Sequence, residues 1–338
     1  MLRSADMRAK EISVIIGDGI SEEVTNCTLK VIKRLTPDME FDIKRAGIEV
    51  FEKTGKLLEE GLIESFDKNK VSLKGPIGTP IGEGFRSINV ELRKRFDLYA
   101  NIRPIKTYTE YAKYQDVDIV IFRENTEDLY AGVEEKISDD EMHSVKIITR
   151  EKSERIARKA YEYALENNRK KVTIVTKANI MKLTDGLFLE VCRKVGEKFP
   201  QIETEEKLVD NVAMQLVLNP ANFDIILTQN LYGDILSDLC AGLVGGLGLA
   251  SSANIGDTHA MFEAVHGTAP RMAGLNTANP TALMFSATMM LKHLGYREES
   301  RRMYDAIYRV LQKREKCTKD LGGRASTTEY TDYVIEYL

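Results

Sequence analysis

The chain has 338 residues, 43% of them apolar. That is enough for a sizeable core, and it favours two domains because single cores stop growing near about 250–300 residues. Lys plus Arg numbers 48 against 52 for Asp plus Glu, so the net charge of −4 favours solubility and gives no basic footprint for nucleic acid.

Ile12-Ser-Val-Ile-Ile16 reads as a strand, followed by the glycine turn Gly17-Asp18-Gly19 and a helical pattern from Glu22 to Arg34. Strand, turn and helix in that order open an α/β unit. Further β-type runs are Lys70–Leu73, Val117–Phe122, Val145–Thr149, Val172–Val175 and Phe223–Thr228. Helical patterns cover Ser153–Asn167, Thr184–Lys198, Thr281–Leu294 and Glu298–Lys313. Their alternation predicts a largely parallel sheet flanked by helices. No flexible linker or internal repeat divides the chain, so ordinary secondary structure must cross any domain boundary. The start, Met1-Leu-Arg-Ser-Ala-Asp-Met-Arg8, has no apolar h-region, and no stretch approaches about 18 apolar residues. A cytoplasmic protein without membrane contact is expected, or a matrix protein if the source is eukaryotic, although no transit peptide is evident. Cys27, Cys192, Cys240 and Cys317 form no C-x-x-C pair and read as small buried hydrophobes. The four histidines are equally scattered, so any metal must be held by oxygen.

A dinucleotide fingerprint after the first strand fails, because Glu22 stands where the third glycine belongs and would face pyrophosphate. No P-loop pattern exists. The strongest constellation is Asn230-Leu-Tyr-Gly-Asp234-Ile-Leu-Ser-Asp238. Two aspartates four apart share one helix face and suit one hard divalent cation. A bare D-x-x-x-D is more often a solvated face, but Ile235, Leu236 and Leu239 surround this one, and carboxylates in apolar company need a cation or a basic partner. A second cluster runs from Thr79 through Arg86, Ser87 and Asn89 to Arg93, followed by Arg103 and Arg123. Each arginine alone reads as a surface ion-pair partner; together with Ser and Asn they point to a small polyanion. Tyr130 and Lys177, the latter just past a strand, are candidate acid/base groups, with a snorkelling surface side chain as the bland alternative. His266-Gly-Thr-Ala-Pro270 and Ala278-Asn279-Pro-Thr281 read as a loop and a helix start, with Asn279 at a capping position.

Together these segments, from Ile12 to the C-terminus, resemble the isocitrate/3-isopropylmalate dehydrogenase family of metal-dependent, β-decarboxylating oxidoreductases. Ser87, Asn89 and Thr268 lean towards the isocitrate enzymes. The resemblance implies an α/β fold of that family's type rather than a Rossmann fold, with two domains around a mixed sheet and flanking helices. Residues 1–98 and 244–338 would form a large domain with most of the dinucleotide site, and 99–243 a small α+β domain with the dimer interface and a clasp. It implies that Thr79, Ser87, Asn89, Arg93, Arg103 and Arg123 bind substrate, and that Asp234 and Asp238, with Asp210 from a second subunit, hold Mg²⁺ or Mn²⁺. Lys177 and Asp210 would serve proton abstraction from the 2-hydroxyl, and Tyr130 would protonate the enol. The cofactor would lie along Leu73, Thr79, Glu263, His266, Gly267, Thr268, Ala269, Arg271 and Asn279, near the Gly17–Gly19 turn. A homodimer with shared sites follows, acting on a tricarboxylate with NAD⁺.

Two positions depart from the family pattern. Arg271 stands where NAD-type members usually have aspartate, and a guanidinium suits the 2′-phosphate of NADP⁺; Thr318–Gly323 matches the NAD type. Ser21-Glu22 replaces the usual Gly-Pro. The alternatives are homoisocitrate or 3-isopropylmalate as substrate, NADP⁺ as cofactor, or a silent regulatory subunit, against which the full set Tyr130, Lys177, Asp210, Asp234 and Asp238 argues.

Overall fold

A computed structural model describes residues 10–78 and 87–338. In chain order the elements begin with β1 (Glu11–Ile16), α1 (Ser21–Leu35), β2 (Glu40–Arg45), α2 (Ile48–Thr54), α3 (Leu62–Asn69), β3 (Val71–Lys74) and α4 (Ile88–Arg95). The middle of the chain forms β4 (Ala100–Lys106), β5 (Asp118–Glu124), β6 (Glu134–Lys136), β7 (Met142–Ser144), α5 (Arg150–Glu166) and β8 (Lys171–Thr176). It continues through α6 (Thr184–Gly196), β9 (Glu203–Leu208), α7 (Val209–Leu218), β10 (Ile225–Thr228) and α8 (Asn230–Val244). Last come β11 (Ser251–Ile255), β12 (Ala260–Ala264), α9 (Thr281–His293), α10 (Arg297–Leu311) and α11 (Thr327–Glu336).

Ten strands form one sheet in the order β2-β1-β3-β12-β11-β4-β5-β10-β8-β9. Both flanks are parallel, as expected, and their inner strands β1, β8 and β10 are Val/Ile-rich runs buried on both faces. The centre is antiparallel, through β12–β11, β11–β4 and β4–β5. Ala253 of β11 lies opposite Ile102 of β4, so backbone hydrogen bonds join the middle of the chain to its two ends.

One sheet face carries α1, α5, α6 and α9–α11 over a single large apolar core. The opposite face has two separate clusters, under α3 and α4 on one side and under α7 and α8 on the other. Successive strand residues point to opposite faces. Leu73, Ile102, Phe122, Ala253 and Phe262 therefore enter the large core. Their neighbours Lys74, Asn101, Arg103, Arg123, Asn254 and Glu263 are also buried, but belong to none of the three apolar clusters. The strand period thus turns them to the other face, along the seam between its two clusters.

One predicted strand is absent. Val145–Thr149 makes a single bridge, Ile147 with Asp128, and ends in Thr149 as the N-cap of α5. Its alternating residues have β propensity but no sheet edge beside them, and propensity without a pairing partner does not make a strand. The exposed β6–β7 hairpin precedes it.

Candidate active site

The centre of the seam is Arg123, 1% exposed near the end of β5. Its Nη1 donates to Asp234 Oδ1 at 2.6 Å, and Nε and Nη2 both donate to Asn230 Oδ1, at 3.0 and 2.7 Å. Asn230 and Asp234 share one face of α8, one turn apart. Gly233 lets this happen: a Cβ there would sit 2.5 Å from Arg123 Cγ, so only glycine admits the arginine stem against the helix. The Tyr130 hydroxyl donates to the other Asp234 oxygen at 2.5 Å, and the Arg123 guanidinium lies 5.1 Å from the Tyr130 ring centre.

Arg103, two residues along β4 from Asn101, donates to Ser237 Oγ at 2.5 Å and lies 3.5 Å from Asp234 and 3.6 Å from Asp238. Burial and the neighbouring Arg123 lower its pKa to about 10. Arg93, on α4, donates to Glu263 Oε1 at 2.9 Å. Its Nε and that of Arg103 are buried without an acceptor. One turn before Arg93, Asn89 Oδ1 is also buried and unpartnered, and Ser87, at the N-cap of α4, makes no side-chain capping bond. Thr79 and Arg86 lie outside the described residues.

Burial alone would raise the Asp234 carboxyl, but Arg123, the Tyr130 hydrogen bond, Arg103 and Arg93 hold it below the usual carboxylate range. Asp238 goes the other way, pushed up by burial and by the like charge of Asp234 against the pull of Arg103. The Tyr130 phenol is raised by burial first and then by its bond to Asp234, which keeps its proton on.

Lys177 follows β8, and Asp210 opens α7 just after β9. These strands are parallel neighbours, so both residues leave the same sheet edge, and Lys177 Nζ donates to Asp210 Oδ1 at 2.6 Å. Behind them the buried Asp185 accepts from Lys177 N at 2.6 Å, Lys146 Nζ at 2.5 Å and the Tyr232 hydroxyl at 3.1 Å. Asp210 does not join Asp234 and Asp238: among the described residues no three His, Cys, Asp or Glu side chains converge within this chain.

The glycine turn packs against the His266 loop, with Ile20 N donating to Thr268 O at 2.9 Å. Glu22 turns away to pair with Arg45 at 2.7 Å, and Ser21 Oγ accepts from Gly17 N. His266 Nε2 is buried with no partner, and burial lowers its pKa, so the ring stays neutral. Ala269 has φ +38°, while Gly267 and Arg271 are exposed. Asn279 Oδ1 accepts from Thr281 N at 3.0 Å, and its Nδ2 donates to Asp320 at 2.9 Å. The capping duty assigned to Asn279 is thus met one residue further out, since Pro280 is the flanking residue. The Leu73 side chain enters the large core, on the opposite face from Glu263.

The isocitrate/isopropylmalate dehydrogenase family model matches residues 11–334. The chain belongs to that family. It is 46% identical over 338 residues to a probable NAD isocitrate dehydrogenase subunit alpha, mitochondrial, of Drosophila melanogaster, covering 99% of this chain and 89% of that one. An Arabidopsis thaliana relative named as mitochondrial NAD isocitrate dehydrogenase catalytic subunit 5 is 48% identical, with 95% and 87% covered. A Dictyostelium discoideum relative of the same identity, covering 98% and 93%, is named as a regulatory subunit. The crystal structure of isocitrate dehydrogenase from Methylococcus capsulatus superposes with a TM-score of 0.94 at 43% identity, covering 97% of this chain and 98% of that chain. The α/β mixed-sheet architecture is that of the isocitrate/isopropylmalate dehydrogenases.

Sequence reasoning missed several residues of this site. Asn230 was legible, because it precedes Asp234 by one helical turn. Lys74, which pairs with Glu263 at 2.7 Å, and Asp185 carried no signal, since a lysine ending a strand and an aspartate opening a helix are both commonplace.

Proposed function

We propose that the protein catalyses the metal-dependent oxidative decarboxylation of isocitrate to 2-oxoglutarate and CO₂, passing hydride to NAD⁺. The observation that carries this reading is the convergence of Arg93, Arg103 and Arg123 beside Asp234 and Tyr130, with two buried arginine Nε atoms lacking acceptors. Burial and the neighbouring guanidinium charges lower the pKa of Arg103 and Arg123, so the cluster has an excess of positive charge that a tricarboxylate neutralises. The names of the relatives support the same substrate and cofactor.

In this reading the arginines orient the carboxylates, and Ser87 and Asn89 hydrogen-bond the one that distinguishes isocitrate. Lys177 and Asp210 carry off the proton of the 2-hydroxyl, and Tyr130, which keeps its own proton at neutral pH, delivers it to carbon after CO₂ leaves. Asp234 and Asp238 suit a hard cation such as Mg²⁺ or Mn²⁺: both are oxygen donors on one helix face, and burial, with the like charge of Asp234 adding to it, raises Asp238. When bound, that cation supplies Lewis acidity and neutralises developing charge. The unpartnered His266 Nε2, with Glu263 and Asn279 nearby in sequence, fits a nicotinamide dinucleotide.

A second chain completes the site. Ile180 and Leu183 after Lys177, Met214, Val217 and Leu218 on α7, and Ile235 on α8 are exposed apolar side chains, with Leu183 at 88%. The apolar company expected for Asp234 is thus only half present within one chain. A face of this kind marks an interface, and the Lys177–Asp210 pair at its edge would serve a neighbour's Asp234 and Asp238. The two ends of the chain and its middle would act as domains hinged at the β11–β4 seam, with the β6–β7 hairpin as a clasp.

The test is reduced-nicotinamide absorbance with purified protein, Mn²⁺ and isocitrate, using NAD⁺ and NADP⁺ in parallel and homoisocitrate and 3-isopropylmalate for comparison. Rapid reduction of NAD⁺ with isocitrate is expected. Preference for NADP⁺ would give the exposed Arg271 a 2′-phosphate role. Turnover of only another substrate would overturn the use made of Ser87 and Asn89. Silence throughout would favour the regulatory reading that the Dictyostelium relative's name brings.

A further inference from the structure

Asn254 lies fully buried in β11, at the junction between the ends of the chain and its middle. Its Nδ2 donates to Glu263 Oε1 at 2.8 Å and to Met261 O at 3.2 Å. Its Oδ1 accepts from Asn101 Nδ2 at 2.8 Å and from Asn125 Nδ2 at 3.0 Å. All four hydrogen-bonding positions of the amide are filled, and inverting it would set oxygen against the Glu263 carboxylate and amide against amide.

The two sides of this amide serve different parts of the site. Glu263 Oε1 is the atom that Arg93 also engages, while Oε2 takes Lys74. Asn125 follows Arg123 by two residues and begins the turn that carries Tyr130; its amide also holds Leu98 O at 3.0 Å. We infer that Asn254 is a positioning residue: one buried amide sets the Arg93–Glu263 pair on one side of the seam in register with the Arg123–Tyr130 group on the other. The inference rests on the reading of Arg93, Arg123 and Tyr130 as substrate-facing groups.

The bond pattern explains why an amide stands here. Glu263 holds two buried cations with one carboxylate, so each oxygen must stay on its own partner, and the Asn254 N–H fixes Oε1 on the Arg93 side. Asparagine supplies a donor to one lobe and an acceptor to the other without adding charge. Leucine would leave the Glu263 oxygen and the two amides short of partners, and aspartate would place a second carboxylate against Glu263. Small displacements of an orienting group are amplified at the reacting atoms, and about 10²-fold in rate is typical.

The experiment measures kcat and isocitrate KM at saturating NAD⁺ and Mn²⁺ for wild type, Asn254→Ala, Asn254→Asp, Asn125→Ala and Ser252→Ala. Ser252 shares strand and burial with Asn254 and bonds Asn101; it lies across the strand pair from Glu263, but its hydroxyl bonds neither the Glu263 carboxylate nor Asn125. The expected result is a kcat/KM about 10²-fold lower for Asn254→Ala, with a higher isocitrate KM, while Ser252→Ala stays within about two-fold. Asn125→Ala should lose less, and its combination with Asn254→Ala should cost less than the product of the singles, because both break the same link. Asn254→Asp, which keeps the shape if the alanine variant fails to fold, should lose activity as pH rises and its new carboxyl gives up its proton. An Asn254→Ala variant with wild-type KM, or an Asn254→Asp profile parallel to wild type, overturns the inference. A wild type silent on isocitrate overturns the functional reading instead; the melting shift induced by Mn²⁺ and isocitrate then reads the same variants, and an equal shift in wild type and Asn254→Ala overturns the inference separately.

Discussion

Helices α7 and α9 are both strongly apolar, yet they meet opposite environments. In α9 the residues from Thr281 to Thr288, with Met290 and Leu291, are buried, as expected of a helix that is hydrophobic all round. It rests on β11 and β12 beneath α10, and the chain itself satisfies it. In α7 only Val212 and Leu216 are buried, and Leu218 is 71% exposed. The difference teaches which apolar surface the chain leaves uncovered. The face formed by α7, the start of α6 and α8 retains apolar surface, and Lys177, Asp210, Asp234 and Asp238 cluster around it. The region of α9 supplies rigidity; in the proposed reading the region of α7 carries chemistry and is completed by a second copy.

The sharpest way to break that contrast is complementation. Lys177→Met is expected to reduce kcat by about 10²–10⁴-fold, the usual loss for a positioned acid/base group, and Asp234→Asn, which weakens the proposed cation site, to reduce it strongly as well. If a site draws Lys177 from one chain and Asp234 from another, refolding or co-expressing the two variants together should restore turnover, because mixed pairs contain one intact site. No recovery in a mixture shown by mass to be hybrid would mean that each chain carries its own complete site.

Next in size is a pair of truncations. Leu291→Ala in α9 should destabilise the chain by about 2–5 kcal/mol, since it empties a filled core position. Leu218→Ala in α7 should change the stability of the dissociated chain by less than about 0.5 kcal/mol. Its effect belongs to assembly, and the sedimentation profile should shift towards monomer at low protein concentration. Denaturant unfolding and sedimentation velocity on both variants check this. An equal stability loss at the two positions would show that α7 is covered from within.

The same contrast governs what the sequence reveals. Strands β1, β5, β8 and β10 and helices α1, α5, α6, α9 and α10 were legible because burial on one or both faces imposes a clear apolar period. Strands β2 and β9 were not, since Glu40-Phe-Asp-Ile-Lys-Arg45 and Glu203-Thr-Glu-Glu-Lys-Leu208 lie at the two sheet edges, half in water and dense in charge. Strands β11 and β12 are short, and their inward residues Asn254 and Glu263 are polar because they face the seam. For the site, Asp234 and Asp238 announced themselves by helical spacing. The buried partners Lys74, Asp185 and Asn254 did not, because what makes them matter is a long-range contact that no local period encodes.

The smallest effect expected is in the pH dependence of stability, and it too belongs to the chemical region. Glu127, 3% exposed, sits in the turn between Arg123 and Tyr130, accepts from Thr149 N at 3.0 Å and Thr149 Oγ1 at 2.8 Å, and lies near Glu124. Burial is the main cause that raises its pKa to about 7, with the neighbouring Glu124 charge adding to it. An acid whose pKa is higher folded than unfolded binds its proton more tightly in the native state. Its contribution is therefore complete below the unfolded value near 4.5 and disappears as pH rises through about 7. Helix α9 buries no carboxylate and adds nothing of this kind. The wild-type melting temperature should thus fall more steeply between pH 5 and 8 than that of Glu127→Gln, whose neutral amide has no proton to lose. Parallel slopes for the two proteins would mean that Glu127 is ionised in the folded chain throughout that range, and that the turn carrying Tyr130 tolerates two buried negative charges.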